Sequence, residues 1–108
     1  MSEYDVVFER SEQGGRPVLR VAGEIDLAVA ARFAQELESL VKDTGGTGAV
    51  DLSGVSFIDS SGIRELLKAK RATEAPGDLL LLRPSDFCRR VLEISGVWSD
   101  FTVLEASS

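Results

Sequence analysis

Val50-Asp51-Leu52-Ser53-Gly54-Val55-Ser56-Phe57-Ile58-Asp59-Ser60-Ser61-Gly62-Ile63-Arg64-Glu65-Leu66-Leu67 is the stretch that sets the architecture of this chain. Ala49 to Leu52 is a short run of the kind buried in a sheet. Ser53-Gly54-Val55-Ser56 reads as a turn, and Phe57-Ile58 adds an apolar pair. Asp59-Ser60-Ser61-Gly62 then leads into a helix beginning near Ile63, whose apolar residues are Ile63, Leu66, Leu67 and Ala69. Strand, turn and helix in that order form the repeating unit of an α/β fold.

Working upstream, Leu27, Ala30, Ala34, Leu37 and Val41 recur at threes and fours, with Phe33 and Leu40 flanking, which predicts an amphipathic helix. Asp26 is placed to cap it, and Asp43-Thr44-Gly45-Gly46-Thr47-Gly48 stops it. Before it, Tyr4–Arg10 and Pro17–Val21 read as two strands joined through Ser11-Glu12-Gln13-Gly14-Gly15, a hairpin. Val18 and Arg20 fall on one face of the second strand, Leu19 and Val21 on the other.

Downstream, Pro76-Gly77 closes the middle helix and Leu79-Leu80-Leu81-Leu82 reads as a covered strand. Arg83-Pro84-Ser85 opens a third helix running to Ile94, with Phe87, Val91 and Ile94 on one face and Cys88 and Leu92 beside them. Trp98 and Phe101–Leu104 suggest a docked final segment, strand or helix. The expected fold is a single α/β domain over residues 1–108. Its mixed sheet has four to five strands in the order β-β-α-β-α-β-α plus a short C-terminal element.

Composition excludes several functions. The chain has 108 residues, the size of one ordinary domain. With 18 acidic and 12 basic residues the net charge is -6, which argues against direct nucleic-acid binding. Histidine is absent, so neither a Ser-His-Asp nor a Cys-His catalytic unit can be built. One cysteine, Cys88, gives no internal disulfide and no thiolate metal cage, and reads as a buried small apolar residue. Neither G-x-x-x-x-G-K-[ST] nor G-x-G-x-x-G opens a helix. The expectation is a binding protein rather than an enzyme, with no cofactor, no metal and no membrane insertion. A lone thiol and the lack of a basic-then-apolar N-terminal run point to the cytoplasm.

The candidate site is the entry to the middle helix. The free N–H groups of a helix start carry partial positive charge, so a phosphate there gains hydrogen bonds and a favourable dipole. A serine at this point either caps the helix, the ordinary use, or bears a phosphoryl group.

Phe57-Ile58-Asp59-Ser60-Ser61-Gly62, taken with Gly23-Glu24-Ile25-Asp26 upstream, resembles the F-[MI]-D-S-S-G and G-E-[LI]-D motifs of the STAS domain in bacterial anti-sigma factor antagonists. Arg83-Pro84-Ser85 through Ser95-Gly96-Val97 resembles the third-helix region of that family. The resemblance implies a partner-switching regulator of transcription. The unphosphorylated antagonist binds an anti-sigma factor that is also a serine kinase, phosphorylation at the position of Ser60 releases it, and a serine phosphatase restores it. Asp59, Ser61 and Gly62 match the flanking motif, and Gly23, Glu24 and Asp26 match a loop near the partner-binding surface. Arg64 stands where many members have a second glycine; it can contact a phosphate or an acidic partner, or lie solvated. An alternative within the family is an accessory subunit of a transport or signalling complex, without a phosphate switch.

Overall fold

A computed structural model describes residues 6–44, 48–73 and 79–105. Among these, five strands and three helices alternate: β1 (Val7–Gln13), β2 (Arg16–Ile25), α1 (Leu27–Thr44), β3 (Ala49–Ile58), α2 (Ser60–Ala72), β4 (Leu80–Leu82), α3 (Asp86–Ile94) and β5 (Thr102–Leu104). A 3-10 turn, Trp98–Asp100, precedes β5, so the short final element is a strand. The sheet order is β1-β2-β3-β4-β5, with β1 antiparallel to β2 and the other neighbours parallel. This is the mixed α/β sheet that the sequence predicts. The expected breaks at Gly45-Gly46-Thr47 and Pro76-Gly77, and the start of the first strand at Tyr4, lie outside the described residues.

Several elements depart from the sequence expectation, each for a local reason. Ser11, Glu12 and Gln13 pair with Val18, Pro17 and Arg16, which leaves only Gly14-Gly15 as the turn. Ser53–Ser56 does not turn the chain: β3 continues to Ile58 because β2 also continues, to Ile25, and keeps pairing with it. The ladder is interrupted by register shifts between Arg20 and Ala22 and between Gly23 and Glu24. Gly54 permits that close approach, since a Cβ there would lie 2.8 Å from the Ala22 Cβ.

In α1 the buried residues are Ala30 and Leu37 of the expected stripe together with the flanking Phe33 and Leu40, while Leu27, which leads that stripe, is 77% exposed. In α3 the buried residues are Cys88 and Leu92, while Phe87 and Ile94 face outward. Ser85 explains this rotation. Its N–H donates to the Leu52 carbonyl (3.2 Å), its Oγ donates to the Val55 carbonyl (2.5 Å), and the same Oγ accepts from the Cys88 N–H (3.1 Å). The helix start is thereby tied to β3 with Cys88 turned into the core.

The main core joins Leu19, Val21 and Ile25 of β2 with Phe33 and Leu37 of α1, Leu52 and Ile58 of β3, and Leu66 of α2. Val18 packs with Ala49 and Leu82 in a separate cluster, as the strand alternation predicts. No described helix is long and apolar enough to cross a membrane.

Cys88 is wholly buried, and burial pushes its thiol pKa up to about 12. Since the thiolate is the reactive form, an aromatic disulfide reagent is expected to leave the native protein unmodified and to titrate one thiol once urea unfolds it. Prompt native-state reaction would contradict this burial.

Candidate functional site

The two motif segments meet at the carboxyl ends of β2 and β3, the end of a parallel sheet where α/β folds place their sites. Glu24 lies in register with Phe57, and Ile25 with Ile58. The Asp59 N–H donates to the Ile25 carbonyl at 3.2 Å, which joins the second motif to the first. Gly23 has φ of +106°, a backbone conformation that other residues adopt only with strain.

Asp59 is the N-cap of α2, so the helix begins at Ser60, earlier than the position near Ile63 that apolar spacing suggests. Its Oδ1 accepts from the backbone N–H of Ser61 (2.9 Å) and of Gly62 (3.4 Å). The Ser61 hydroxyl donates to the same oxygen at 2.5 Å. That hydroxyl bond, with the two backbone N–H groups, outweighs partial burial and holds the Asp59 carboxyl below the usual range. Asp59 is therefore ionised at neutral pH.

The adjacent serines are thus in different situations. Ser61 is half-buried and engaged by the cap. Ser60 is exposed, at the first helical position, and no hydrogen bond from a described residue engages its hydroxyl. The cap is Asp59, so Ser60 is not needed to start the helix.

Gly62 is buried where α2 leaves the sheet. A Cβ there would meet Ile25 Cγ2 at 2.8 Å and Ile58 Cγ1 at 2.9 Å, both in the core. Gly62→Ala is expected to destabilise the domain by about 1–3 kcal/mol through overpacking. This exceeds the gain of up to about 1 kcal/mol that alanine brings to a helix. Urea unfolding checks the sign; a stabilised variant would mean the contact yields easily.

Asp26 precedes α1 as expected, and its carbonyl accepts from the Val29 N–H at 3.0 Å. Its side chain does not make the expected cap bond: Oδ1 is inaccessible and unpaired among the described residues. Glu24 is exposed beside it. Arg64 is exposed one turn along α2 and free of ion pairs to described residues, which is the solvated arrangement. Gly23, Glu24, Asp26 and Asp59–Gly62 are therefore brought together, with Arg64 on the adjoining helix surface.

Sequence reasoning missed three apolar residues of this surface. Leu27 is 77% exposed just after Asp26. Phe57 and Phe87 are exposed and contact one another, ring centroids 5.5 Å apart. Periodicity assigns Leu27 and Phe87 to apolar helix faces and Phe57 reads only as half of an apolar pair, whereas all three are exposed.

The family described as Mlab, STAS domain matches residues 8–104. An anti-sigma F factor antagonist of Lysinibacillus sphaericus is 34% identical over 82 residues, covering 74% of this chain and 70% of the relative. An anti-sigma factor antagonist structure from Mycobacterium paratuberculosis superposes with a TM-score of 0.83 at 22% identity, covering 94% of this chain and 86% of that one. The anti-sigma factor antagonist SpoIIAA in its unphosphorylated form gives a TM-score of 0.71 at 25% identity, covering 91% and 88%. Its phosphorylated form gives 0.64 at 24% identity, covering 91% of each chain.

Proposed function

The chain belongs to the STAS domain family, and on that premise we propose that it is an anti-sigma factor antagonist switched by phosphorylation of Ser60. The observation that supports the switch most directly is the exposed, unengaged Ser60 hydroxyl at the start of a helix that Asp59 already caps. A kinase can reach that hydroxyl, and the helix survives its modification. SpoIIAA, a relative of similar fold, exists in unphosphorylated and phosphorylated forms.

In this reading the chain is a binding protein, not an enzyme. Its partner is an anti-sigma factor with serine kinase activity, and a serine phosphatase resets it. Leu27 and the Phe57–Phe87 pair supply apolar anchors beside acidic Glu24 and Asp26, so the partner surface is apolar with a basic rim. Gly23, Ser61 and Gly62 shape the surface rather than bond across it. A phosphate adds about -1.5 to -2 charge next to ionised Asp59, and the contact is broken at the interface without refolding the domain.

The test incubates the protein with ATP and candidate serine kinases of its own organism and maps phosphate by mass spectrometry. Phosphate on Ser60, lost in Ser60→Ala, supports the reading. Phosphate only elsewhere overturns it, as does co-purification with a transport complex when Ser60 stays unmodified; the second result would identify an accessory subunit.

A further inference from the structure

Arg64 differs from most arginines of the chain. Arg10, Arg20, Arg32, Arg83 and Arg89 each pair with a carboxylate, whereas Arg64 is exposed with no such partner among the described residues. Its neighbours at helical spacing are Ser60 and Ser61 on one side and Leu67 and Lys68 on the other, so no acidic side chain of α2 at that spacing competes for it. Lys68, the next cation along that face, is taken by Glu65 at 3.7 Å. Side chains four apart on a helix share a face with Cβ atoms roughly 6 Å apart, a span that a long arginine side chain closes easily.

Carboxylates stand on the sheet side of Ser60. Asp59 adjoins it, and Glu24 and Asp26 stand at the neighbouring end of β2. From α1, which packs on α2, Glu38 lies further along, in the groove shared with Glu65 and Lys68. A phosphate dianion on Ser60 would meet carboxylate repulsion from the sheet side and, within one turn of its own helix, the cation of Arg64, since Lys70 and Arg71 lie in the last turn.

Resting on the phosphorylation proposed above, we infer that Arg64 is the in-chain clamp for the phosphate on Ser60. Its planar guanidinium donates paired N–H bonds to two phosphate oxygens. The clamp draws the phosphate along the flank of α2 and offsets the carboxylates around it. The phosphorylated state is thereby prolonged, because a phosphatase must detach the group from Arg64 before engaging it. In the unphosphorylated chain Arg64 stays solvated, as observed.

The experiment installs phosphoserine at position 60 of the whole protein during expression and follows its phosphorus NMR shift through the second ionisation, near pH ~6. Arg64→Gln keeps helix propensity and removes the charge; it is expected to raise the midpoint by roughly half a pH unit. Arg64→Lys keeps the charge without the paired geometry and should fall between. Added salt should shrink the difference. Equal midpoints for wild type and Arg64→Gln, with circular dichroism showing both folded, overturn the clamp. The phosphate is installed without a kinase, so this outcome is separate from the question of whether a kinase modifies Ser60.

Discussion

Phosphorylation of Ser60 is expected to lower affinity for the anti-sigma partner by at least ~100-fold while leaving the domain as stable as before. A phosphate carries about -1.5 to -2 charge, so one arginine leaves part of it uncompensated; such a charge buried in a contact costs several kcal/mol, and each ~1.4 kcal/mol is tenfold in the dissociation constant. Even ~3 kcal/mol, the low end for such a charge, therefore gives the hundredfold loss. Two features of the site sharpen the expectation. The Ser60 hydroxyl has no bond to lose within the described chain, so Ser60→Ala should bind as wild type does and resist the switch. The cap belongs to Asp59, so α2 stays formed in every Ser60 variant. Ser60→Asp brings one charge on a shorter arm and should lose less affinity than the phosphate does. Ser61→Ala is the contrasting control: it removes the hydroxyl that Asp59 accepts from and should reduce stability by about 1 kcal/mol. Calorimetric titration against the partner, with urea unfolding of each variant, separates these effects. Equal weakening by Ser60→Ala and Ser60→Asp would show that the hydroxyl, not added charge, governs binding.

The parts of the fold that sequence reading captures depend on near neighbours in the chain. Helix α2 is legible because Asp59-Ser60-Ser61-Gly62 has helix-start composition, although apolar spacing places its start near Ile63 and the cap is Asp59, bonded to N–H groups two and three residues away. The hairpin is legible because Gly14-Gly15 closes it locally. The resemblance implies that Glu24 and Asp26 lie near the partner-binding surface; the contact of the two motifs is the Asp59–Ile25 bond with Gly62 against Ile25. What is illegible depends on distant partners. Ser53–Ser56 has turn composition, yet it is held as strand by β2, which no local pattern encodes. Phe87 and Ile94 satisfy a helical period as well as Cys88 and Leu92 do, and only the bonds from Ser85 to β3 choose between the two faces. The exposed Phe57–Phe87 pair follows from both of these, so the apolar part of the proposed interface could not be read in advance.

Arg83→Ala is expected to cost the domain about 3 kcal/mol, and Arg83→Gly about 1 kcal/mol less than that. Arg83 donates to Asp51 Oδ2 at 2.5 Å, and the Ser53 N–H donates to Oδ1 at 2.9 Å. The Asp51 side chain is 4% exposed and that of Arg83 28%. Burial raises the carboxyl pKa, but the bonds from Ser53 and Arg83 together outweigh it and hold Asp51 below the usual range. Removing the guanidinium leaves a buried carboxylate with one partner, and breaking such a pair costs about 3–5 kcal/mol. The lower end applies because Arg83 is partly exposed and Ser53 remains. The backbone distinguishes the two substitutions. Arg83 has φ of +43°, held by its N–H donating to the Leu104 carbonyl at 2.7 Å. Alanine keeps that strain and glycine relieves it, by about 1 kcal/mol. Acid should expose the same interaction. A carboxyl whose folded pKa is depressed contributes its full stability above the unfolded value of about 3.9, and loses it as pH falls through the folded pKa. The stability gap between wild type and Arg83→Ala should therefore be constant near neutrality and narrow below about pH 4. Urea midpoints of the three proteins across that range check both claims. A gap that persists in acid would assign the loss to packing of the arginine stem, and equal midpoints for alanine and glycine would show that no backbone strain resides at Arg83.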